Sequence, residues 1–262
     1  MARRWTIEEE LEKRIELLNF YVRENMAIGE IGQFLGIAES SVFDRMKRLN
    51  ILSTPRKKNH YCNKRKDFVI PLLSGELAEF VGILLGDGHI SDGQIWISVY
   101  KKENDYLEYL LNLIKVLFKL DAKYTNCEDR STFNIYIGSV DLVRFFRKMG
   151  LVSNKVKEQV DIPKWIFRKD NYKKSFLKGF FDTDGSIYSL RFGIQMSFCN
   201  HSFPLLQSVR ELLLSLLYHP SKITGYNLYL TRKNDLKRYA KEIGFGNKKH
   251  LEKAKKFAII FN

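Results

Sequence analysis

The stretch Phe80-Val-Gly-Ile-Leu-Leu-Gly-Asp87-Gly88 returns as Leu177-Lys-Gly-Phe-Phe-Asp-Thr-Asp184-Gly185. Each is an apolar run ending in Asp-Gly, and each reads as a buried helix that stops at its carboxylate. Around the first copy Leu77, Ala78, Phe80, Val81, Ile83, Leu84 and Leu85 leave almost no polar face, so this helix needs cover on all sides. Gly82 and Gly179 fall at the same place in the two copies and let two helix backbones approach closely. Gly88 and Gly185 are expected to supply the permissive dihedrals that end each helix. The two helix ends then sit side by side, each carrying an acid.

A carboxylate at the negative end of a helix dipole, beside a second carboxylate, is electrostatically unfavourable. A divalent cation relieves that repulsion. Paired carboxylates and helix-end carbonyls, here those of Gly86 and Thr183, are hard oxygen ligands of the kind Mg²⁺ prefers. A single Asp-Gly marks no more than a turn. Two copies, each behind an all-apolar helix with an internal glycine, point to a shared site.

At these residues the chain resembles the LAGLIDADG homing endonucleases in their single-chain, two-motif form, and the resemblance covers roughly residues 76–262. It implies that Asp87 and Asp184 are the metal-binding acids, with Mg²⁺ as cofactor and Mn²⁺ as its substitute. The second motif keeps the family's earlier acid as Asp182, whereas the first has Leu85 there and Gly86 where the family favours Ala. The two halves are therefore unequal.

The charge agrees with a polyanionic partner: 44 Lys and Arg face 30 Asp and Glu, a formal net charge of +14 over 262 residues. An acidic membrane surface or a merely solvated lysine-rich surface would also use such charge. No apolar run approaches the length of a membrane span and no signal-peptide layout opens the chain, so a cytoplasmic location is expected. Cys62, Cys127 and Cys199 are too scattered for a disulfide framework or a zinc knuckle, and the five histidines show no ligand spacing.

Before the first motif, Ile7, Leu11, Ile15, Leu18 and Val22 recur at helical spacing over residues 6–25. A short helix with Ile28, Ile31, Phe34 and Leu35 follows, then Gly36, then a third helix from Glu39 or Ser40 that buries Val42, Met46 and Leu49. This is the layout of a helix-turn-helix, in which the early residues of the last helix face base edges. Ser40, Ser41, Asp44 and Arg45 hold those places, with Lys47 and Arg48 nearer the phosphates. A three-helix bundle for protein contact has the same apolar spacing. Residues 54–67 then turn basic, with Arg56, Lys57 and Lys58 and no acid before Asp67, which suits either a linker tracking phosphates or an ordinary solvated one.

The duplication extends beyond the motifs. Ile95, Ile97 and Val99 alternate with Gln94, Trp96, Ser98 and Tyr100, as Phe192, Ile194, Met196 and Phe198 do with Arg191, Gly193, Gln195 and Ser197. Ile135-Tyr136-Ile137, Asp141-Leu142, Gly150-Leu151 and Asn154-Lys155 recur as Leu228-Tyr229-Leu230, Asp235-Leu236, Gly244-Phe245 and Asn247-Lys248. With only two copies this is a pseudo-twofold pair, not a solenoid. The fold expected is α+β: a pseudo-twofold duplicated αββαββα core of two saddle-forming antiparallel sheets, preceded by a small all-α helix-turn-helix domain. The domains expected are 1–54, a basic linker over 55–75, and repeats over 76–168 and 169–262.

A two-stranded ribbon can enter the major groove and read base edges. Gln94, Gln195 and Arg191 are candidate base readers, and Trp96 and Tyr136 contact sugars or simply pack. The resemblance implies phosphodiester hydrolysis of double-stranded DNA by a monomer, one strand cut by each half, as in an intron-encoded nuclease. Lys155 and Lys248 are candidates to offset charge on the transition state, plain surface lysines being the alternative. A DNA-binding regulator on the same scaffold, similar to the WhiA-type regulators, is the rival function, and an RNA maturase a weaker one. A protein-splicing element is disfavoured, because the quoted ends, Met-Ala-Arg-Arg and Ile-Phe-Asn, lack the nucleophile and His-Asn pair that splicing needs.

Overall fold

The computed structural model describes residues 5–24, 26–51, 68–126, 131–191 and 193–259. They fall into two compact units, one within residues 1–60 and the other within 61–262.

Among the described residues the smaller unit holds three α-helices. Helix α1 (Ile7–Leu18) opens on a capping box in which Thr6 Oγ1 accepts from the Glu9 amide at 3.2 Å and the Glu9 carboxylate accepts from the Thr6 amide at 2.8 Å. It widens into one π turn over Asn19–Arg23, and α2 (Ile28–Leu35) and α3 (Glu39–Arg48) follow. Gly36 joins them at φ +65°, where a side chain would be strained. The core is Leu17, Tyr21, Ile31, Val42, Met46, Leu49 and Ile51. The first-helix stripe expected from spacing is therefore corrected: Leu11, Ile15 and Val22 lie on the surface, and Leu17 and Tyr21 point inward.

In the larger unit, α4 (Gly75–Gly86) and α7 (Asp170–Asp184) are the two motif helices. Ser74 Oγ caps α4 by accepting from the Leu77 amide at 3.2 Å. Residues Leu77 to Leu85 are buried along its whole length, as the absence of a polar face requires. The first repeat continues with β1 (Gly88–Ile90), β2 (Gln94–Tyr100), α5 (Asn104–Phe118), β3 (Lys123–Asn126), β4 (Thr132–Gly138) and α6 (Val140–Lys148). Its antiparallel sheet has the order β1-β2-β4-β3. Ile95, Ile97, Ile135 and Ile137 face the core, while Trp96 pairs with Tyr136 and Ser98 with Asn134 on the other face.

The second repeat runs β5 (Gly185–Leu190), β6 (Gly193–Cys199), α8 (Phe203–Ser215), β7 (Asn227–Leu230), α9 (Lys233–Glu242) and α10 (Lys248–Lys256). Its sheet, β5-β6-β7, is one strand short of its twin. Where a fourth strand was expected, the chain makes a single bridge between Thr224 and Asn227 and one further bond from the Ser221 amide to the Tyr229 carbonyl. Gly225, at φ +58°, makes the turn between the two segments. The α+β architecture with two antiparallel sheets stands, in unequal halves. One hydrophobic core joins both repeats, from Phe80 and Phe118 through Phe176 and Phe180 to Phe198 and Tyr239.

Candidate functional site

The two motif helices meet at their glycines. A methyl at Gly82 would stand 2.7 Å from the Phe180 nitrogen, and one at Gly179 would stand 2.9 Å from the Glu79 carbonyl carbon. Only glycine permits backbones this close. Gly86 continues the seam to the helix ends, where a methyl would lie 2.7 Å from Thr183 Cβ and 3.3 Å from Asp184 Cγ. Gly88 and Gly185 act differently from expectation. Neither adopts a left-handed conformation; each begins a strand so close to its own helix that a Cβ would strike Leu84 or Phe181.

This packing brings Asp87 and Asp184 within electrostatic reach of each other. Asp184 is partly buried, and Asn200 Nδ2 donates to its Oδ2 at 2.6 Å. Burial pushes its pKa up to about 7, with the charge of Asp87 adding to the effect and the Asn200 bond and Lys155 opposing it. Asp87 keeps a solvent-facing surface although protein atoms crowd around it. Its pKa is also raised by desolvation, against the pull of Lys155 and Lys249, and Glu103 pushes it further up.

The charge of Lys155 acts on both acids. Its ammonium donates to the carbonyls of Leu84 at 3.2 Å and Leu85 at 3.1 Å and, more closely still, to that of Gly86. It thus caps the carbonyl end of α4, where the helix dipole favours a cation. Burial lowers its pKa, and Asp184 and Asp87 counter that. The Gly86 carbonyl, expected as a metal ligand, accepts a hydrogen bond from this ammonium. Thr183 Oγ1 donates to the carbonyls of Gly179 and Phe180, which leaves its own carbonyl as the remaining candidate. A cavity of about 340 Å³ opens here, lined by Lys155, Thr183, Asp184, Cys199, Asn200 and His201 among others.

The second half uses a different anchor. Asp182 is buried and accepts from the amides of Gly246 at 2.8 Å and Asn247 at 3.1 Å, holding the start of α10. Burial pushes its pKa up to about 7 in spite of those two bonds. Leu85, its counterpart, packs in the core, and its half is closed by Lys155. Lys248 is corrected: it pairs with Asp105 at 2.8 Å on an exposed edge. The next residue, Lys249, donates to Glu103 Oε1 at 3.1 Å, and after Lys155 its charge also opposes the upward shift of Asp87. Asn200, Glu103 and Lys249 were missed by sequence reading, the doubled lysine at 248–249 being the one visible signal.

The other candidates are dispersed. On the sheets, Gln94 and Gln195 are half-buried and Arg191 is exposed in the β5–β6 turn. Trp96 packs against Tyr136 with ring centroids 5.3 Å apart. In the smaller unit Ser40, Asp44, Lys47 and Arg48 are exposed and Ser41 and Arg45 half-buried. Arg45 and Arg48 lie over the Trp5 ring, at 5.6 and 4.7 Å, and Arg48 also pairs with Glu10 at 2.5 Å. Arg56, Lys57, Lys58 and most of the expected linker lie outside the described residues. Among the described residues no helix is long and apolar enough to cross a membrane, and no cluster of three or more His, Cys, Asp or Glu side chains could hold a metal ion.

Residues 171–244 match the family model of the LAGLIDADG-like domain, the segment that contains α7 and the second sheet. That segment is similar to the LAGLIDADG-like family. The chain is 23% identical over 271 residues to the uncharacterized protein MJ0398 of Methanocaldococcus jannaschii, covering 92% of this chain and 93% of the relative. It is 29% identical over 197 residues, 68% of its length, to the replication factor C small subunit of the same organism, of which it spans only 10%. Among solved structures, the homing endonuclease I-DmoI is similar at a TM-score of 0.47 and 16% identity, over 65% of this chain and 95% of that one. The N-terminal LAGLIDADG domain of WhiA is similar at 0.45 and 17%, over 69% and 89%.

Proposed function

We propose that this protein is a site-specific double-stranded DNA endonuclease that hydrolyses phosphodiester bonds with divalent metal held between Asp87 and Asp184. The observation that supports the reading is the glycine-lined contact of α4 and α7, with the carboxylates of Asp87 and Asp184 at the two helix ends within electrostatic reach of each other. Packing alone gains nothing from acids there. The donor set suits Mg²⁺, an ion that is commonly bound by one or two carboxylates and keeps water and phosphate oxygens as its other ligands. Asp87, Asp184 and the Thr183 carbonyl would hold it, and when bound it would supply Lewis-acid polarisation of the phosphate and a lowered pKa for water. Asn200 orients the Asp184 carboxylate through its 2.6 Å bond. The Lys155 ammonium offsets negative charge as it builds on the phosphate oxygens.

The open sheet faces, with Gln94, Gln195 and Arg191, are the surfaces we assign to base reading, and a net charge of +14 supplies attraction to phosphates. The helix pair α2–α3 with Ser40, Ser41, Arg45, Lys47 and Arg48 adds a second contact. In several curated relatives of differing names, among them the replication factor C small subunit, glutamine–fructose-6-phosphate aminotransferase and tRNA-splicing ligase RtcB, the matched segment makes up only 10% to 22% of the relative. That pattern supports a portable module with its own activity. A DNA-binding regulator is the alternative, favoured by α2–α3 and disfavoured by the retained pair of acids.

Asp87→Asn and Asp184→Asn should each stop double-strand cleavage of a selected site in Mg²⁺ or Mn²⁺ while leaving gel-shift affinity in place. Tight binding by the unaltered protein with no cleavage on that site would establish the regulator instead.

A further inference from the structure

The two motif helices are alike in backbone where they meet, but not in charge. With the motifs aligned on their acids, Glu79 of α4 corresponds to Phe176 of α7, and Val81 corresponds to Lys178. The packing keeps that correspondence: a methyl on Gly82 would strike the Phe176 carbonyl, and one on Gly179 the Glu79 carbonyl. On one flank of the seam, Lys178 Nζ lies 3.1 Å from Glu79 Oε1 and donates to the Tyr109 hydroxyl at 2.7 Å, while that hydroxyl donates to Glu79 Oε1. The Glu79 side chain is 9% exposed and that of Lys178 22%. The corresponding pair, Val81 and Phe176, is apolar and fully buried, with Phe176 stacked on Phe180 at 5.9 Å between ring centroids.

Glycines in equivalent places would let each of these helices pack on its own copy as readily as on its twin. The side chains decide against it. In a pairing of α4 with the α4 of a second chain, each Glu79 would meet Val81 of the other copy, and two buried carboxylates would lose their cation. Tyr109 belongs to the same repeat as Glu79 and would stay with it, but a phenol does not neutralise the charge. In a pairing of α7 with α7, each Lys178 would meet Phe176. Separating a buried ion pair is strongly unfavourable, because each charge has left water and keeps no partner, whereas replacing both members by uncharged groups of similar size costs little. The pair is therefore weak as a stabiliser of α4 on α7 and strong as a discriminator. We propose that Glu79 and Lys178 select the partner of each motif helix: they make α4 a surface that accepts α7 and rejects a second α4, and so keep the chain from assembling with copies of itself. The selection concerns pairing alone and holds whatever chemistry the site performs.

Full-length chains are unfolded in urea and refolded at high protein concentration, and the dimer share is read by sedimentation velocity. Exchange between chains that keeps α4 on α7 retains the ion pair, so dimers of the unaltered protein set the baseline. The double variant Glu79→Gln with Lys178→Met removes both charges at nearly constant shape. Its dimer share should rise about 10-fold above the baseline, while its melting temperature stays within about 3 °C of the unaltered protein. The reversed pair, Glu79→Lys with Lys178→Glu, should return to the baseline. Should that pair fail to fold beside Tyr109, Lys178→Arg, which keeps the charge, takes its place as the control with the same expectation. A charge-free variant as monomeric as the unaltered protein overturns the proposal. So does a charged control that dimerises as much as the charge-free variant.

Discussion

At the scale of single residues, the acids carry an energetic signature that is measurable without DNA. Asp184, with a pKa pushed up to about 7 mainly by burial, keeps a proton in the folded chain that it releases in the unfolded one, where 3.8 applies. The folded state binds more protons between those values, so stability from this group is complete below about pH 4 and is lost as the pH rises through 7. Asp184→Asn removes that loss. In the absence of divalent ions its melting temperature should exceed that of the unaltered protein by about 2–5 °C at pH 8 and match it near pH 4. Asp182 titrates in the same window, so the dependence on pH should shrink without vanishing. A variant that melts lower at pH 8 would contradict the assignment of Asp184 as a strained group. Candidate acids were legible at this scale because the motif repeats. Lys249 was not, because one residue of helix rotates a side chain by about 100°, and an alignment that tolerates single-residue gaps cannot choose between 248 and 249.

Among elements, the decisive contact is α4 on α7. A Cβ at Gly179 has no room against the Glu79 backbone, and one at Gly82 none against Phe180. Neither neighbour is a flexible side-chain end, so the helices themselves must separate. Gly179→Ala should destabilise the larger unit by about 2–4 kcal/mol in chemical denaturation, whereas Gly150→Ala, with open space around it, should act only through its φ of +93°. A loss of under 1 kcal/mol for Gly179→Ala would mean that the seam is looser than its geometry implies. Beside this seam, Glu79, Lys178 and Tyr109 form a mutual cluster, with Lys178 Nζ 3.1 Å from Glu79 and 2.7 Å from the Tyr109 hydroxyl. Burial, reinforced by Glu79, pushes the Tyr109 pKa far above the usual phenol range. Glycines 82 and 179 announced the close approach in the sequence. The polar cluster did not announce itself, since Glu79, Tyr109 and Lys178 lie on three different helices.

For the molecule as a whole, charge and its division between two units set the expected behaviour on DNA. Residues 1–66 include α1 to α3 and a basic run, and their removal should weaken DNA binding and flatten its dependence on salt. Titrations at several salt concentrations measure the slope. A slope unchanged by the truncation would take the N-terminal segment out of the DNA contact. Within the larger unit, the second sheet has three strands to the first sheet's four, so the two halves present different surfaces.

By itself the sequence determined the elements and their duplication, because apolar periodicity and a repeated glycine pattern are local properties that dictate which faces must be buried. Tertiary structure alone decided which of Lys248 and Lys249 meets Glu103, which apolar side chains before α2 are covered, and that the second sheet has three strands. Those outcomes depend on how residues far apart in the chain meet in space, and neither spacing nor composition carries that information.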